Sequence, residues 1–246
     1  MRRQARACLR LARMLTHIAV GLGTVLLRFR GMPVEEQQAR VQAWAREMLR
    51  RAGVQLQVQG TPPAHGPLLL VANHISWLDI PVMHAARHCR FVSKSDVKGW
   101  PVLGRLATAA GTLYIERESR RDALRVVHTM RDALDRGEIL AVFPEGTTSN
   151  GIALLPFHAN LLQSAISAAA PVQPVGLRFI DGRTGAPSQA ASYMGDETLI
   201  GSLWRTLCAD ALVAVVHYGA PQQAAGRDRR TWAEDLRSVV DGLRRG

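Results

Sequence analysis

Leu68-Leu69-Leu70-Val71-Ala72-Asn73-His74-Ile75-Ser76-Trp77-Leu78-Asp79-Ile80-Pro81 is the stretch on which the fold turns. Five apolar residues in an unbroken run suit a strand covered on both faces, as in a largely parallel sheet. Pro81 belongs in the first turn of a helix, so the spacing predicts a helix that opens at Asp79 or Ile80. His74 is then left at the strand end and Asp79 at the helix start. On a regular helix, five residues would set the two side chains about 140° apart; across a strand-to-helix turn they can face each other. An aspartate bonded to one imidazole nitrogen fixes the tautomer and stabilises the imidazolium. The other nitrogen is then free to take a proton from a hydroxyl. Taken singly, the same residues also suit a plain helix cap beside a loop histidine.

The alternation continues outward from this stretch. Strands are expected at Leu68–Ala72, Arg90–Ser93, Thr112–Glu116, Ile139–Phe143, Val172–Phe179 and Leu212–His217. Between them, helices are expected at Arg120–Asp135 (capped by Ser119), His158–Ala169 and Leu199–Ala211. A last helix opens on the capping box Thr231-x-x-Glu234, with Trp232, Leu236, Val239 and Leu243 on one stripe. Asp181–Gln189 and Ala220–Arg230 read as exposed loops. Strands alternating with helices predict one α/β domain around a mixed, largely parallel central sheet flanked by helices.

Two further strand ends carry polar groups. Phe143-Pro144-Glu145-Gly146-Thr147-Thr148-Ser149 follows the apolar run Ile139–Val142, and such loops line substrate crevices in open sheets. Backbone N–H groups around Gly146 and three hydroxyls could hold an oxyanion or a phosphate, although an ordinary turn reads the same way. Gly111-Thr112-Leu113-Tyr114-Ile115-Glu116-Arg117 ends a strand on an arginine suited to phosphate capture, or simply to the surface. His84 and His88, spaced i, i+4 with no third ligand, read as exposed helix histidines.

Composition narrows the setting. The 246 residues are 47% hydrophobic and carry a net charge of +11, with 29 arginines against two lysines, Lys94 and Lys98. Residues 1–51 hold 11 arginines and three acids, a net +8; the other 195 residues carry +3. The excess charge thus belongs to one end, where Arg2, Arg3, Arg6, Arg10 and Arg13 precede an uncharged run from Met14 to Leu27. That run spans roughly 21 Å as a helix, short of the roughly 30 Å hydrocarbon core. No A-x-A-like cleavage site follows it. We therefore read it as a helix in the membrane interface, with arginines reaching anionic headgroups. Val34–Gly53, behind Pro33, is a second helix. The chain divides into an N-terminal helical pair at 1–56, acting as a membrane anchor, and an α/β domain at 57–246. An apolar run inside the basic half, few aromatics and no nucleic-acid motif exclude a nucleic-acid partner. Three widely spaced cysteines, Cys8, Cys89 and Cys208, suit a reduced compartment.

The three strand-end segments, in this order, resemble the motifs of the lysophospholipid acyltransferase family, which includes 1-acylglycerol-3-phosphate acyltransferases. Asn73-His74-x4-Asp79 is similar to the first motif, Gly111–Arg117 to the second and Phe143–Ser149 to the third; Val172-Gln173-Pro174 is a looser fourth. The resemblance covers roughly Gly66 to Gly219. Tyr114 stands where phenylalanine is usual, and Lys94-Ser95-Asp96 resembles a Lys-x-Glu segment with a shorter acid. The resemblance implies transfer of a fatty acyl chain from acyl-CoA or acyl-carrier protein to the free hydroxyl of lysophosphatidic acid, or alternatively of lyso-ornithine lipid. It implies His74 as general base, Asp79 as its orienting partner, and Asn73, Arg117, Glu145, Gly146 and Thr147 as substrate-binding residues. A thioester is already activated, so the reaction needs no covalent enzyme nucleophile, metal or cofactor beyond the acyl donor. The expected location is the cytoplasmic face of the cell membrane.

Overall fold

The structure, a computed structural model, describes residues 2–115 and 120–246. Two helices come first, α1 at Arg2–Arg28 and α2 at Val34–Ala52. α2 places Glu35 and Glu36 in its first turn and Arg50 and Arg51 in its last, and Gly53 closes it at φ 77°, a left-handed cap that glycine adopts without strain. Then follow β1 (Val54–Gln59), β2 (Leu68–Ala72), α3 (Asp79–Ala86), β3 (Arg90–Lys94), α4 (Leu103–Ala109), β4 (Leu113–Ile115) and α5 (Arg120–Asp135). The chain ends with β5 (Ile139–Val142), α6 (Leu162–Ser167), β6 (Val172–Asp181), α7 (Leu199–Cys208), β7 (Leu212–Tyr218) and α8 (Arg229–Arg245).

The seven strands form one sheet in the order β1-β7-β6-β2-β5-β3-β4. β6 and β7 pair antiparallel and every other neighbour is parallel, so the expected mixed, largely parallel sheet is what forms. β2 explains its own sequence. Leu68, Leu70 and Ala72 face a core shared with α1, α2, α3 and α7. Leu69 and Val71 face the opposite core, built with α5, α6 and α8. A strand buried on both faces has no room for a polar residue until it ends, at Asn73-His74.

Several elements differ from expectation. β1 was not expected. Val54-Gln55-Leu56-Gln57-Val58-Gln59 alternates with period two, yet as an edge strand it buries only Val54 fully. It also crosses the 56/57 division drawn from composition, since it pairs with β7 from Val54 onward. α8 opens at Arg229 rather than at Thr231. Asp228 caps it, accepting from the Arg230 and Thr231 N–H groups and from the Thr231 hydroxyl, because a carboxylate can accept all three bonds at once. The segment expected as a helix from His158 is a 3-10 turn at Ala159–Leu161 that runs into the short α6. Ser119, expected to cap α5, lies outside the described residues.

The N-terminal helix is apolar on two sides. Ala7, Met14 and, partly, Leu11 and Ile18 pack inward. The Trp44 indole crosses at Gly21, where a Cβ would come within 2.3 Å of its ring nitrogen. His17 stacks on Trp44, and its Nε2 lies 2.9 Å from the Trp44 carbonyl. Outward, Leu9, Leu15, Val20, Leu26 and Leu27 stay exposed. With its 27 residues α1 is longer than the uncharged run alone, and a helical stretch at Arg3–Gly31 is long and apolar enough to cross a membrane.

The arginines are partly spent within the fold. Arg10 donates to the Leu207 and Ala209 carbonyls, Arg3 to Cys208, and Arg6 pairs with Asp210. They sit at the C-terminal end of α7, where carbonyls lack helical partners and cations are favoured. Three of the arginines expected at lipid headgroups therefore fasten α1 to α7.

Candidate active site

The turn between β2 and α3 wraps around one carboxylate. Asp79 is fully buried in the first turn of α3, where the helix terminus favours a negative charge. Its Oδ2 accepts from Ile75 N at 2.7 Å and Ser76 N at 2.9 Å, and lies 2.8 Å from His74 Nδ1. With the carboxylate as acceptor, the Nδ1 position carries the proton and Nε2 carries the lone pair. Among the described residues Nε2 has no hydrogen-bond partner, and the His74 side chain is 18% exposed. The ring is stacked at 4.0 Å on Phe143, which in turn stacks on Phe91. An imidazole held from one edge and one face, with Nε2 unbonded among the described residues, can take a proton from a hydroxyl brought beside it.

Glu145 joins this turn to the loop after β5. Its Oε1 accepts from His74 N at 2.7 Å and its Oε2 from Leu155 N at 2.9 Å. Burial pushes its carboxyl above the ordinary range, while these two bonds and the nearby His74 hold it down. Ser149 completes the join, donating from N and Oγ to the His74 carbonyl at 2.8 and 3.2 Å. The first and third motifs are thus one hydrogen-bonded unit.

Two of the expected substrate-binding residues have their polar groups bonded within the fold. Asn73 is fully buried, and its amide donates to the Leu177 carbonyl while its oxygen accepts from Leu177 N. It completes the β2–β6 ladder where the strand ends. Glu145 is likewise buried, with each oxygen on a backbone N–H. Gly146 and Thr147 are exposed at the loop tip, and Gly146 takes φ 74° with the His158 ring packed against it. Arg117 lies outside the described residues. The Tyr114 hydroxyl finds partners in Thr108 Oγ1 at 2.9 Å and the Gly104 carbonyl at 3.1 Å. Sequence reasoning missed the Phe143 stack and the Leu155 amide, for which no local pattern gives a signal.

His84 and His88 are buried, not exposed: His84 lies on α3, which α2 and the sheet cover, whereas His88 lies two residues beyond the end of α3, with its ring against His84 and its Nε2 3.2 Å from the Ala110 carbonyl. Burial drives the His84 imidazole down to about 3, with the neighbouring His88 adding to it. Burial likewise lowers His88 to about 4, against a raising contribution from its bond to the Ala110 carbonyl. Both stay neutral in the folded chain, whereas the unfolded chain protonates them below about 6.5. Their contribution to stability is therefore complete above that value and is lost as pH falls toward 4 and then 3. The two together remove about 4 kcal/mol by pH 5. The buried His84 Nδ1 has no partner among the described residues, so His84→Leu is expected to leave neutral-pH stability nearly unchanged. In urea unfolding at about pH 7.5 and about pH 5, that variant is expected to lose about 2 kcal/mol less than wild type. An unchanged acid slope would show that His84 does not stay neutral.

Comparison with known proteins shows the family. A sequence model of the acyltransferase family matches residues 14–178. The chain is 38% identical over 241 residues to a lyso-ornithine lipid O-acyltransferase of Pseudomonas aeruginosa, covering 96% of this chain and 92% of that one.

The chain belongs to the acyltransferase family.

The acyltransferase is also 38% identical over 216 residues to a 1-acyl-sn-glycerol-3-phosphate acyltransferase of Neisseria meningitidis, covering 85% and 84% of the two chains. The crystal structure of the 1-acyl-sn-glycerophosphate acyltransferase PlsC from Thermotoga maritima superposes with a TM-score of 0.67, over 98% of this chain and 97% of that one. At 20% identity that likeness speaks for the fold. The resemblance read from the three motifs is borne out at the level of the family.

Proposed function

We propose that this acyltransferase moves a fatty acyl chain from acyl-CoA or acyl-carrier protein to the free hydroxyl of lysophosphatidic acid, giving phosphatidic acid at the cytoplasmic face of the membrane. The observation that carries the reading is the His74–Asp79 pair, with Nδ1 held at 2.8 Å by a buried carboxylate and Nε2 open. Nε2 removes the acceptor's hydroxyl proton as the oxygen attacks the thioester carbonyl. Asp79 stabilises the imidazolium that forms. The tetrahedral intermediate collapses, the carbon–sulfur bond breaks, and the thiolate leaves with the proton returned by His74. Asn73 and Glu145 act through the backbone, holding the β2 end and the 143–149 loop, while Gly146, Thr147 and Arg117 are the groups assigned to substrate. The exposed outer side of α1 holds the enzyme where its lipid acceptor resides.

Lyso-ornithine lipid is the second reading, favoured by the Pseudomonas aeruginosa relative that matches 96% of this chain. Purified full-length protein given labelled acyl-CoA or acyl-carrier protein and each lysolipid in turn separates the two. Labelled phosphatidic acid is the expected product. Transfer confined to lyso-ornithine lipid replaces the first reading with the second, and transfer to neither overturns both.

A further inference from the structure

The chain's only two lysines precede an apolar knob that leads into α4, a helix packed on α1. Between β3 and α4 the backbone folds as a 3-10 turn at Ser95–Gly99 and then projects Trp100-Pro101-Val102-Leu103. Trp100 is 47% exposed and Leu103 43%, with Val102 and Pro101 exposed beside them. The knob is built to hold this shape. Trp100 N donates to the Val97 carbonyl and Gly104 N to the Trp100 carbonyl. Gly104 is buried, and a Cβ there would meet the Lys98 carbonyl oxygen at 2.4 Å, so only glycine lets α4 fold back this closely. Thr108 and Tyr114 both donate to the Gly104 carbonyl and brace the turn from below. A rigid support that presents a tryptophan and a leucine to solvent wastes apolar surface unless something covers it.

We infer that this knob is a second membrane contact, in which Trp100 and Leu103 insert into an anionic lipid surface alongside α1. Two observations select lipid as the occupant. Lys94, Lys98 and Arg105 are exposed in the same stretch of chain as the apolar tip, with the Lys98 ammonium over the Tyr114 ring, against one acid in that stretch, Asp96. Long cationic side chains around an inserted indole are what an anionic headgroup layer accommodates. α4 also packs directly on α1, the helix that exposes Leu9, Leu15, Val20, Leu26 and Leu27, so the two apolar surfaces belong to neighbouring elements. Two contacts set a plane rather than a line, and so fix how the catalytic end of the sheet faces the membrane. The inference rests on the membrane reading of α1 given above.

The test compares wild type with a Trp100→Ala/Leu103→Ser variant by cosedimentation with phosphatidylcholine vesicles containing phosphatidylglycerol. Vesicle affinity is expected to fall by about tenfold, since two large apolar side chains no longer insert. An unchanged thermal midpoint is expected, because both side chains are exposed, as is unchanged transfer to a short-chain, non-membrane acceptor. Brominated lipid is expected to quench tryptophan fluorescence in wild type and to quench less in Trp100→Phe. Equal vesicle binding by wild type and the double variant, with equal quenching in Trp100→Phe, overturns the knob as a membrane contact and leaves the role of α1 standing. If wild type itself fails to bind vesicles, both fall. A variant that binds vesicles normally but shows a raised KM for acyl-carrier protein reassigns the knob to that acidic partner.

Discussion

Replacing His74 with alanine is expected to cut acyl transfer by about 10²–10⁴-fold, the range a positioned general base supplies. The fold is expected to survive. His74 contributes one side-chain bond to Asp79, and Asp79 Oδ2 keeps its two backbone donors, Ile75 N and Ser76 N. Asp79 offers a sharper version of the same test. Three donors converge on Oδ2, whereas Oδ1 is buried with no partner among the described residues. In Asp79→Asn the amide oxygen can take the Oδ2 place and keep all three bonds, with the NH2 in the place of Oδ1. That variant removes the charge and retains the tautomer. Asp79→Ala removes both and is expected to lose more. A single-turnover assay with saturating donor measures each. His74→Ala within threefold of wild type (about 0.7 kcal/mol) would falsify the general-base assignment. Equal losses in the two Asp79 variants would mean that the charge alone matters.

Glu145→Ala is expected to damage stability and activity together. It leaves His74 N and Leu155 N without their acceptor in a buried site, at about 1–3 kcal/mol for each group. It also releases the 143–149 loop from the strand end that carries His74. A displacement of about 1 Å at a reacting group can cost about 10²-fold, and a loss of that order is expected in transfer. Glu145→Gln is no rescue, because one of its ends is a donor and would meet an N–H. Glu145→Asp is shorter by one methylene and cannot span both partners. Thermal unfolding with steady-state kinetics checks this. A Glu145→Gln enzyme with wild-type stability and rate would show that the two backbone bonds do not hold the site.

The residues that made the fold legible are the ones whose pattern is enforced locally. β2, β5, β6 and β7 are near-continuous apolar runs because both faces of the sheet are covered, and that burial leaves its mark directly in composition. Pro81 and Asp79 marked the start of α3 because a proline and an acid fit only a first turn. β1 was lost because an edge strand can alternate glutamine with valine and leucine over six residues without a strong apolar signal. His84 and His88 were misjudged for a related reason. An i, i+4 spacing presumes a helix that in fact stops at Ala86, before His88, and only the packing of α2 and the sheet says that the His84 face is covered.

The sequence by itself determined the alternation of strands and helices, the concentration of charge at one end, and the identity of the His74–Asp79 pair. Each of these depends on neighbours within a few residues or on bulk composition. Tertiary structure alone decided what the polar residues touch. Asn73 reaches Leu177 across 104 positions, Glu145 reaches His74 across 71, and Arg10 reaches Ala209 across 199. A hydrogen bond is a short-range interaction between groups that the sheet order brings together, and a linear pattern carries no record of that distance.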